Sequence, residues 1–344
     1  MLRIPALGAS LALVVAGLGG CALLEDVGDG DLDDALELVP EDATVVTFTH
    51  RQATAERLGI DDVATGDDRE AVDRYRETVV EADLAGVTRF GGHLTSMTKR
   101  AAFSELDIVW EAAASAEGQP LGRVYKMRDD LDLDAVGDDL VDAGYEEDEI
   151  AGHRHLFIED MHADLELDGT IGGYPGVEMP EVVVVPDERL MFVGGTAEIV
   201  EAAVGVFEDD ADSATDGGGF DDVLDGADDP ELALLRRDVS CEDVGVDGLG
   251  TPEATGFYVS GEGPETSSVL AFADDDAAEA DLAARRNYLA DGVLLATREA
   301  VADVAEWDIE QDGNLVRIDY AYDDPGLARG TAETSDGFHA CHPE

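Results

Sequence analysis

Between Leu121 and Glu208 the spacing of apolar residues changes from strand-like to helical and back twice, and few architectures accommodate that order. The run RVYKM (residues 123–127) reads as a strand, and an acidic corner at 128–132 ends it. Leu133, Val136, Leu140 and Val141 then follow at gaps of three, four and one, which is one face of a helix, and Gly144 closes it. Next, HRHLFIE (153–159) and EVVVV (181–185) read as strands from their β-branched and aromatic content. VVVVPDERLMFV (182–193) reads as a hairpin turning at Pro186 and Asp187. Ile199, Val200, Ala203, Val204 and Phe207 share a face of a second helix, with Thr196 placed to cap its first turn. Strand, helix, strands, helix predicts an α+β fold: antiparallel or mixed sheets with helices packed on one face.

The first segment is a processing signal to be set aside before any fold reasoning. Arg3 is the only charge before an apolar run from Ala6 to Leu18, which is too short to span a bilayer. The run ends in Leu18-Gly19-Gly20-Cys21. This string resembles the lipobox of exported lipoproteins, in which small residues admit the processing peptidase and the cysteine sulfur receives the lipid. The resemblance implies a signal peptide over 1–20, a lipid on Cys21 and a place on the outer face of the cell membrane. An ordinary secretory signal with an incidental cysteine is the alternative. Residues 21–40 are acidic and too poor in apolar residues to pack before Leu36, so they are expected to form a tether, with a reach of up to about 60 Å at roughly 3.3 Å per residue.

Charge bounds the environment. The chain carries 81 acidic residues against 21 basic ones, a net charge of −60, and loss of Arg3 with the leader would make it −61. Lys99 and Lys126 are the only lysines. Such a charge is typical of disorder, but the 44% apolar content and the periodic segments argue for a folded chain. A fold that works in molar salt reconciles the two, since the Debye length there is about 3 Å. Charge, lysine scarcity and lipobox together resemble the exported lipoproteins of halophilic archaea. Nucleic acid is excluded as a partner because no basic stripe exists to neutralise phosphates. An anionic lipid surface would repel the chain as well, so the membrane is reached through the lipid on Cys21.

Towards the N-terminus, residues 44–49 are predicted to form a strand. A helix over 68–81 carries Val72, Tyr75, Val79 and Val80, capped by Asp67 or Asp68, and VTRF (87–90) and LDIVW (106–110) are two more strands. The adjacent Lys99 and Arg100 read as local charge balance. The stretch EDDADSATDGGG, from Glu208, is the best linker candidate, and a chain this long exceeds the roughly 250–300 residues at which single cores split. The predicted organisation is a first domain over 41–208, a linker over 209–230, a second domain over 231–325 and a tail over 326–344. In the second domain TGFYVSG (255–261) and SSVLAFA (267–273) are paired strands, a helical pattern runs over 282–304 with a break at Asp291-Gly292, and residues 307–322 form a hairpin turning at Asp312-Gly313. Strand pair, acidic corner, helix, strand pair also describes 105–159, which predicts a duplicated strand-helix-strand module. Repeated modules of this kind are similar to those in uncharacterised exported proteins, a resemblance that assigns no activity.

Candidate sites are sparse. Asp164, Glu166 and Asp168 with Gly169 match the opening of a calcium loop, but position 12 is Pro175 and a chance match is expected in so acidic a chain. His153 and His155, with His162 close by, would face one way on a strand, where Glu159 or Asp160 would complete a transition-metal set; histidines on an exposed edge strand are the alternative. Cys241 and Cys341 are read as a disulfide, with free thiols or a zinc site using His339 and His342 as alternatives. No GxSxG, HExxH, Walker loop or helix-opening GxGxxG is present. The expected function is therefore a non-enzymatic binding or interaction module of the envelope with no cofactor, its partner an envelope protein or a small ligand. The alternatives are a ligand-capturing protein serving a transporter, with a deep cleft between the halves, or a hydrolase with buried, pKa-perturbed carboxylates in a pocket.

Overall fold

The computed structural model describes residues 30–81, 89–116, 118–161, 165–166, 169–216, 220–224, 230–241, 248–260, 265–293, 298–322 and 342–343. Its strands of alternating and continuous apolar character are β1 (Val45–His50), β2 (Ile108–Ala116), β3 (Gln119–Met127), β4 (Glu146–Ile150), β5 (His153–Phe157), β6 (Glu181–Val185), β7 (Leu190–Gly194), β8 (Leu232–Arg237), β9 (Ala254–Val259), β10 (Glu265–Ala271), β11 (Ala305–Asp312) and β12 (Leu315–Tyr322). All twelve join one sheet in the order β11-β12-β10-β9-β8-β1-β2-β3-β7-β6-β5-β4. Every neighbouring pair is antiparallel. The α+β class is as the periodicity predicts.

The helices are α1 (Asp31–Leu36), α2 (Arg51–Leu58), α3 (Arg69–Glu81), α4 (Leu94–Arg100), α5 (Leu133–Ala143), α6 (Ala197–Phe207), α7 (Asp221–Leu224), α8 (Asp275–Asp291) and α9 (Val301–Val304). They cover both faces of the sheet, not one. Val183, Val185 and Phe192 pack with Val200, Ala203 and Val204 of α6 and with Leu32 and Leu36 of α1. Val182, Val184 and Met191 point the other way, to Val136 and Leu140 of α5. The reason is the run of four valines: with no polar position in the alternation, both sides of the strand must leave water, at roughly 1.5–3 kcal/mol for each large side chain buried. Beyond α5, Gly144 is left-handed at φ 119° and a Cβ there would sit 3.2 Å from Ile171 Cδ1, so the helix stops where the sequence says it stops.

The repeat of elements is visible about the central β1–β8 pair. Outward from β1 run β2 and β3, then α5, then the hairpin β4–β5 with its second strand inward. Outward from β8 run β9 and β10, then α8, then the hairpin β11–β12, again with its second strand inward. The hairpin β6–β7 is inserted in the first half only, between β3 and β5.

Five local expectations are corrected. The segment predicted as a tether is part of the fold from Gly30, because α1 buries Leu32, Ala35 and Leu36. The predicted linker is packed where it is described: Pro40 bridges Ser213, the Ala214 N–H donates to the Val39 carbonyl at 2.7 Å, and Ala214, Phe220 and Val223 are buried in the central core. Three apolar residues in an acidic stretch, Phe220 the largest, were enough, and the two halves share one sheet through β1 and β8. Arg89 and Phe90 of VTRF open a 3-10 turn, Arg89–Gly92, while residues 87 and 88 lie outside the described residues. Thr196 occupies the N-cap of α6, but its side chain accepts no backbone N–H of the first turn and is hydrogen-bonded to the Glu198 carboxylate instead. The last hairpin pairs Asp312 with Leu315, so its turn is Gly313-Asn314, one residue later than predicted.

Candidate functional site

The most concentrated buried chemistry lies where β1 hands over to α2. His50 ends the strand and caps the helix, its Nδ1 accepting the Ala53 N–H at 3.1 Å while Nε2 reaches Asp31 at 2.7 Å. Arg51, the first helical residue, is thereby turned back over β2. Its Nε donates to Glu111 Oε2 at 3.1 Å, with both side chains nearly out of solvent. Glu105 approaches from the 3-10 turn Glu105–Asp107, whose start is fixed by Ser104: the Ser104 N–H donates to Asp107 Oδ2 at 2.8 Å and Ser104 Oγ accepts the Leu106 N–H.

These residues form one end of a cleft of about 170 Å³, walled by Arg51, Gln52, Ala55 and Glu56 of α2, by Ile60, Asp61 and Val63, by Tyr75 of α3, and by Glu105, Leu106, Ile108 and Arg128. Arg51 and Glu105 are both buried, and the Arg51 guanidinium also donates to the Tyr75 hydroxyl. Burial pushes the Glu105 carboxyl up to about 7, with Arg51 opposing and Glu111 adding to the shift. Burial alone would lower Arg51, but Glu111 and Glu105 outweigh it and hold the guanidinium charged. Tyr75 is pushed up to about 12, by burial first and by Glu105 next. The cleft thus presents a fixed cation and an acid that exchanges its proton near neutrality. Among the described residues its walls contain no Ser, Thr, Cys or His.

A second hollow of about 470 Å³ lies beside α4, lined by His93, Lys99, Arg100 and Thr170 among others. Arg100 is bound by Glu166 and His93 faces Glu178 at 3.8 Å, so the cations here offset nearby acids, as the pair Lys99-Arg100 suggests.

The residues singled out in the sequence do not converge on either place. His153 and His155 share a face of β5, but His153 Nε2 pairs with Glu208 and His155 Nε2 with Glu181, each at 2.7 Å. Glu166 of the calcium-like loop pairs with Arg100, while Asp164 and Asp168 lie outside the described residues. Among the described residues no group of three or more His, Cys, Asp or Glu is placed to hold a metal. Cys21 and Cys341 also lie outside them. Cys241 is buried against Val239 and Leu249, at the end of a two-residue ladder that pairs Val239 with Pro343 and Ser240 with His342. That ladder sets a neighbour of each cysteine side by side, which supports a Cys241–Cys341 bridge as the expected pairing. Such a bridge closes a loop of about 100 residues, for which chain entropy allows up to about 4.7 kcal/mol. Intact-mass measurement after alkylation under non-reducing denaturation should find neither thiol modified, and two alkylated thiols would exclude the bridge.

Arg51, Glu105, Glu111 and Tyr75 carry no motif. The one signal for them is Arg51 itself, a scarce base directly after a strand, and no sequence pattern tells which of 81 acids it meets.

No family model and no curated protein matches this chain. Among solved structures it is similar to crystal forms III, I and IV of TP0453, at TM-scores of 0.42, 0.40 and 0.41 and identities of 10%, 10% and 11%. Each alignment covers 87% of this chain and 98%, 97% and 96% of the other. A likeness this slight transfers no property to the present protein.

Proposed function

We propose that the protein is a lipid-anchored, extracytoplasmic, salt-adapted module of the cell envelope that binds a small polar ligand and does not catalyse a reaction. One observation carries the binding role: the α2–α3 cleft of about 170 Å³, whose lining includes the charged Arg51 and the buried carboxyl of Glu105. The cleft is not the interdomain cleft of a hinged capturing protein. Arg57 and Glu231 join the halves through two bonds of 2.6 Å, and five residue pairs of β1 and β8 are in register, so hinge opening would break a continuous ladder.

Anchoring rests on the Leu18–Cys21 string. Cys21→Ser is expected to leave an unprocessed precursor that no longer carries lipid, whereas the parent chain partitions with membranes. Normal processing and membrane retention of Cys21→Ser would overturn the anchor.

A second reading, a hydrolase, is favoured by Glu105 alone, since a carboxyl with a pKa near 7 is suited to general acid work. Glu105→Gln separates the two: it would abolish a hydrolytic activity outright, while a binding site would only lose affinity.

A further inference from the structure

In a chain saturated with carboxylates, one stretch is spared. Acids number 81 in 344 residues, about five in any 21, yet residues 84–104 contain none, the longest such run after the first 24 residues. Burial accounts for part of it, since Leu94, Met97 and Thr98 of α4 are out of solvent. The positions of α4 that reach solvent are Thr95, Ser96, Lys99 and Arg100. These four, with His93 and Thr170, line the hollow of about 470 Å³, and among the described residues no acid lines it.

Arg100 is bound by Glu166 and His93 faces Glu178, but two bases at this place are not neutralised. Among the described residues Lys99 is exposed and has neither an ion pair nor a hydrogen bond. Arg76 of α3 has no carboxylate at ion-pair distance either, and its Nη1 reaches only Thr95 Oγ1, at 3.4 Å, a bond long enough to be exchanged for a better one. Thr95 and Lys99 are four residues apart and Ser96 and Lys99 three, so two hydroxyls and the ammonium share one face of α4 with Arg76 at its rim. We propose that the hollow binds a phosphate monoester, its phosphate held between Lys99 and Arg76 with Thr95 and Ser96 donating, and its organic body in the remaining space.

Two cations match a monoester, which carries close to two negative charges above neutrality, better than a carboxylate with one. The volume falls within the roughly 300–1,000 Å³ of small-ligand sites, with room beyond the phosphate itself. A net charge of −60 would repel any anion in dilute buffer, but at 1 M salt the Debye length is about 3 Å and only charges touching the ligand count. Exposed ion pairs are each worth little, so dissociation constants in the millimolar range are expected. The α2–α3 cleft shares no lining residue with this hollow, and the binding role argued from it does not enter.

The test is phosphorus NMR of glycerol 3-phosphate titrated with the full chain in about 3 M NaCl at pH 8. The resonance should broaden, and inorganic phosphate should reverse the broadening where acetate does not. Lys99→Ala and Arg76→Ala, both at exposed positions, should each weaken binding at least threefold and together at least tenfold, and Lys99→Arg should retain it. Arg69→Ala, which removes an exposed base of α3 paired with Asp73 outside the hollow, should change nothing. Absence of broadening, equal reversal by acetate, or the same loss in Arg69→Ala as in Lys99→Ala would overturn the site and leave the α2–α3 cleft untouched. Flotation of the Cys21→Ser chain with phosphatidic acid vesicles separates the two sources of a monoester: flotation lost in Lys99→Ala assigns a lipid headgroup, and binding of glycerol 3-phosphate without flotation assigns a free ester.

Discussion

Dialysed from multimolar NaCl into neutral buffer of about 0.1 M ionic strength, the folded part of the chain, from Gly30 onward, should lose its near-ultraviolet circular dichroism and become molten or unfold. β4 shows why. Glu146, Glu147, Asp148 and Glu149 are four consecutive exposed acids on the edge of the sheet, and among the described residues only Arg154 answers them, at 2.7 Å from Glu147. Residues two apart on a strand are roughly 7 Å from each other. That separation is inside the Debye length of about 10 Å at 0.1 M and well outside the 3 Å at 1 M. Repulsions of this kind recur over the surface, and a net stability of about 5–15 kcal/mol cannot absorb many. The same acids keep the edge from pairing with another chain, so in brine the strand is both tolerated and soluble. Acidification towards the sequence pI of 4.1 in low salt should restore compactness by removing charge. An unchanged spectrum and melting temperature in dilute neutral buffer would show that the acidity is not a salt adaptation.

The second large effect is expected at Arg51. Arg51→Met leaves Glu111 and Glu105 buried without their cation and should cost about 3–5 kcal/mol by urea denaturation in high salt at pH 8. A loss below about 1 kcal/mol would mean that the two acids do not depend on the guanidinium. Glu105→Gln should act in the opposite direction and only at higher pH. The native state holds the Glu105 proton up to about pH 7, whereas the unfolded chain releases it near the ordinary glutamate value of 4.5. In that window the native state binds the extra proton, so stability falls as pH rises from about 4.5 to about 7, and the penalty is complete above it. At about 1.4 kcal/mol per pH unit over these 2.5 units the full penalty is roughly 3.5 kcal/mol. The glutamine variant should therefore match the parent near pH 4.5 and exceed it at pH 8, and a variant whose stability tracks the parent across the whole range would refute the assignment.

Elements were legible in the sequence wherever apolar spacing was periodic. Asp68 caps α3 by accepting the Ala71 N–H at 3.0 Å, Gly144 ends α5, and the hairpins β6–β7 and β11–β12 stand where their turn residues put them, within one residue. The order of the two halves was legible for the same reason, since each carries its own copy of the spacing. Charge and the Leu18–Cys21 string fixed the expectations about solvent and anchoring from local chemistry alone. What only the tertiary structure decided was adjacency. Period says which face of a strand is apolar but not that β1 and β8 meet, because antiparallel pairing of strands 185 residues apart leaves no local trace. Nor does it say that α1 and the 213–224 segment have a core to enter, since burying a few small residues depends on what is already there. The cleft is the clearest case. Arg51, Glu105 and Glu111 are ordinary charged residues in a chain full of acids, and they become a candidate site because folding removes water from them and sets one guanidinium against two carboxyl groups.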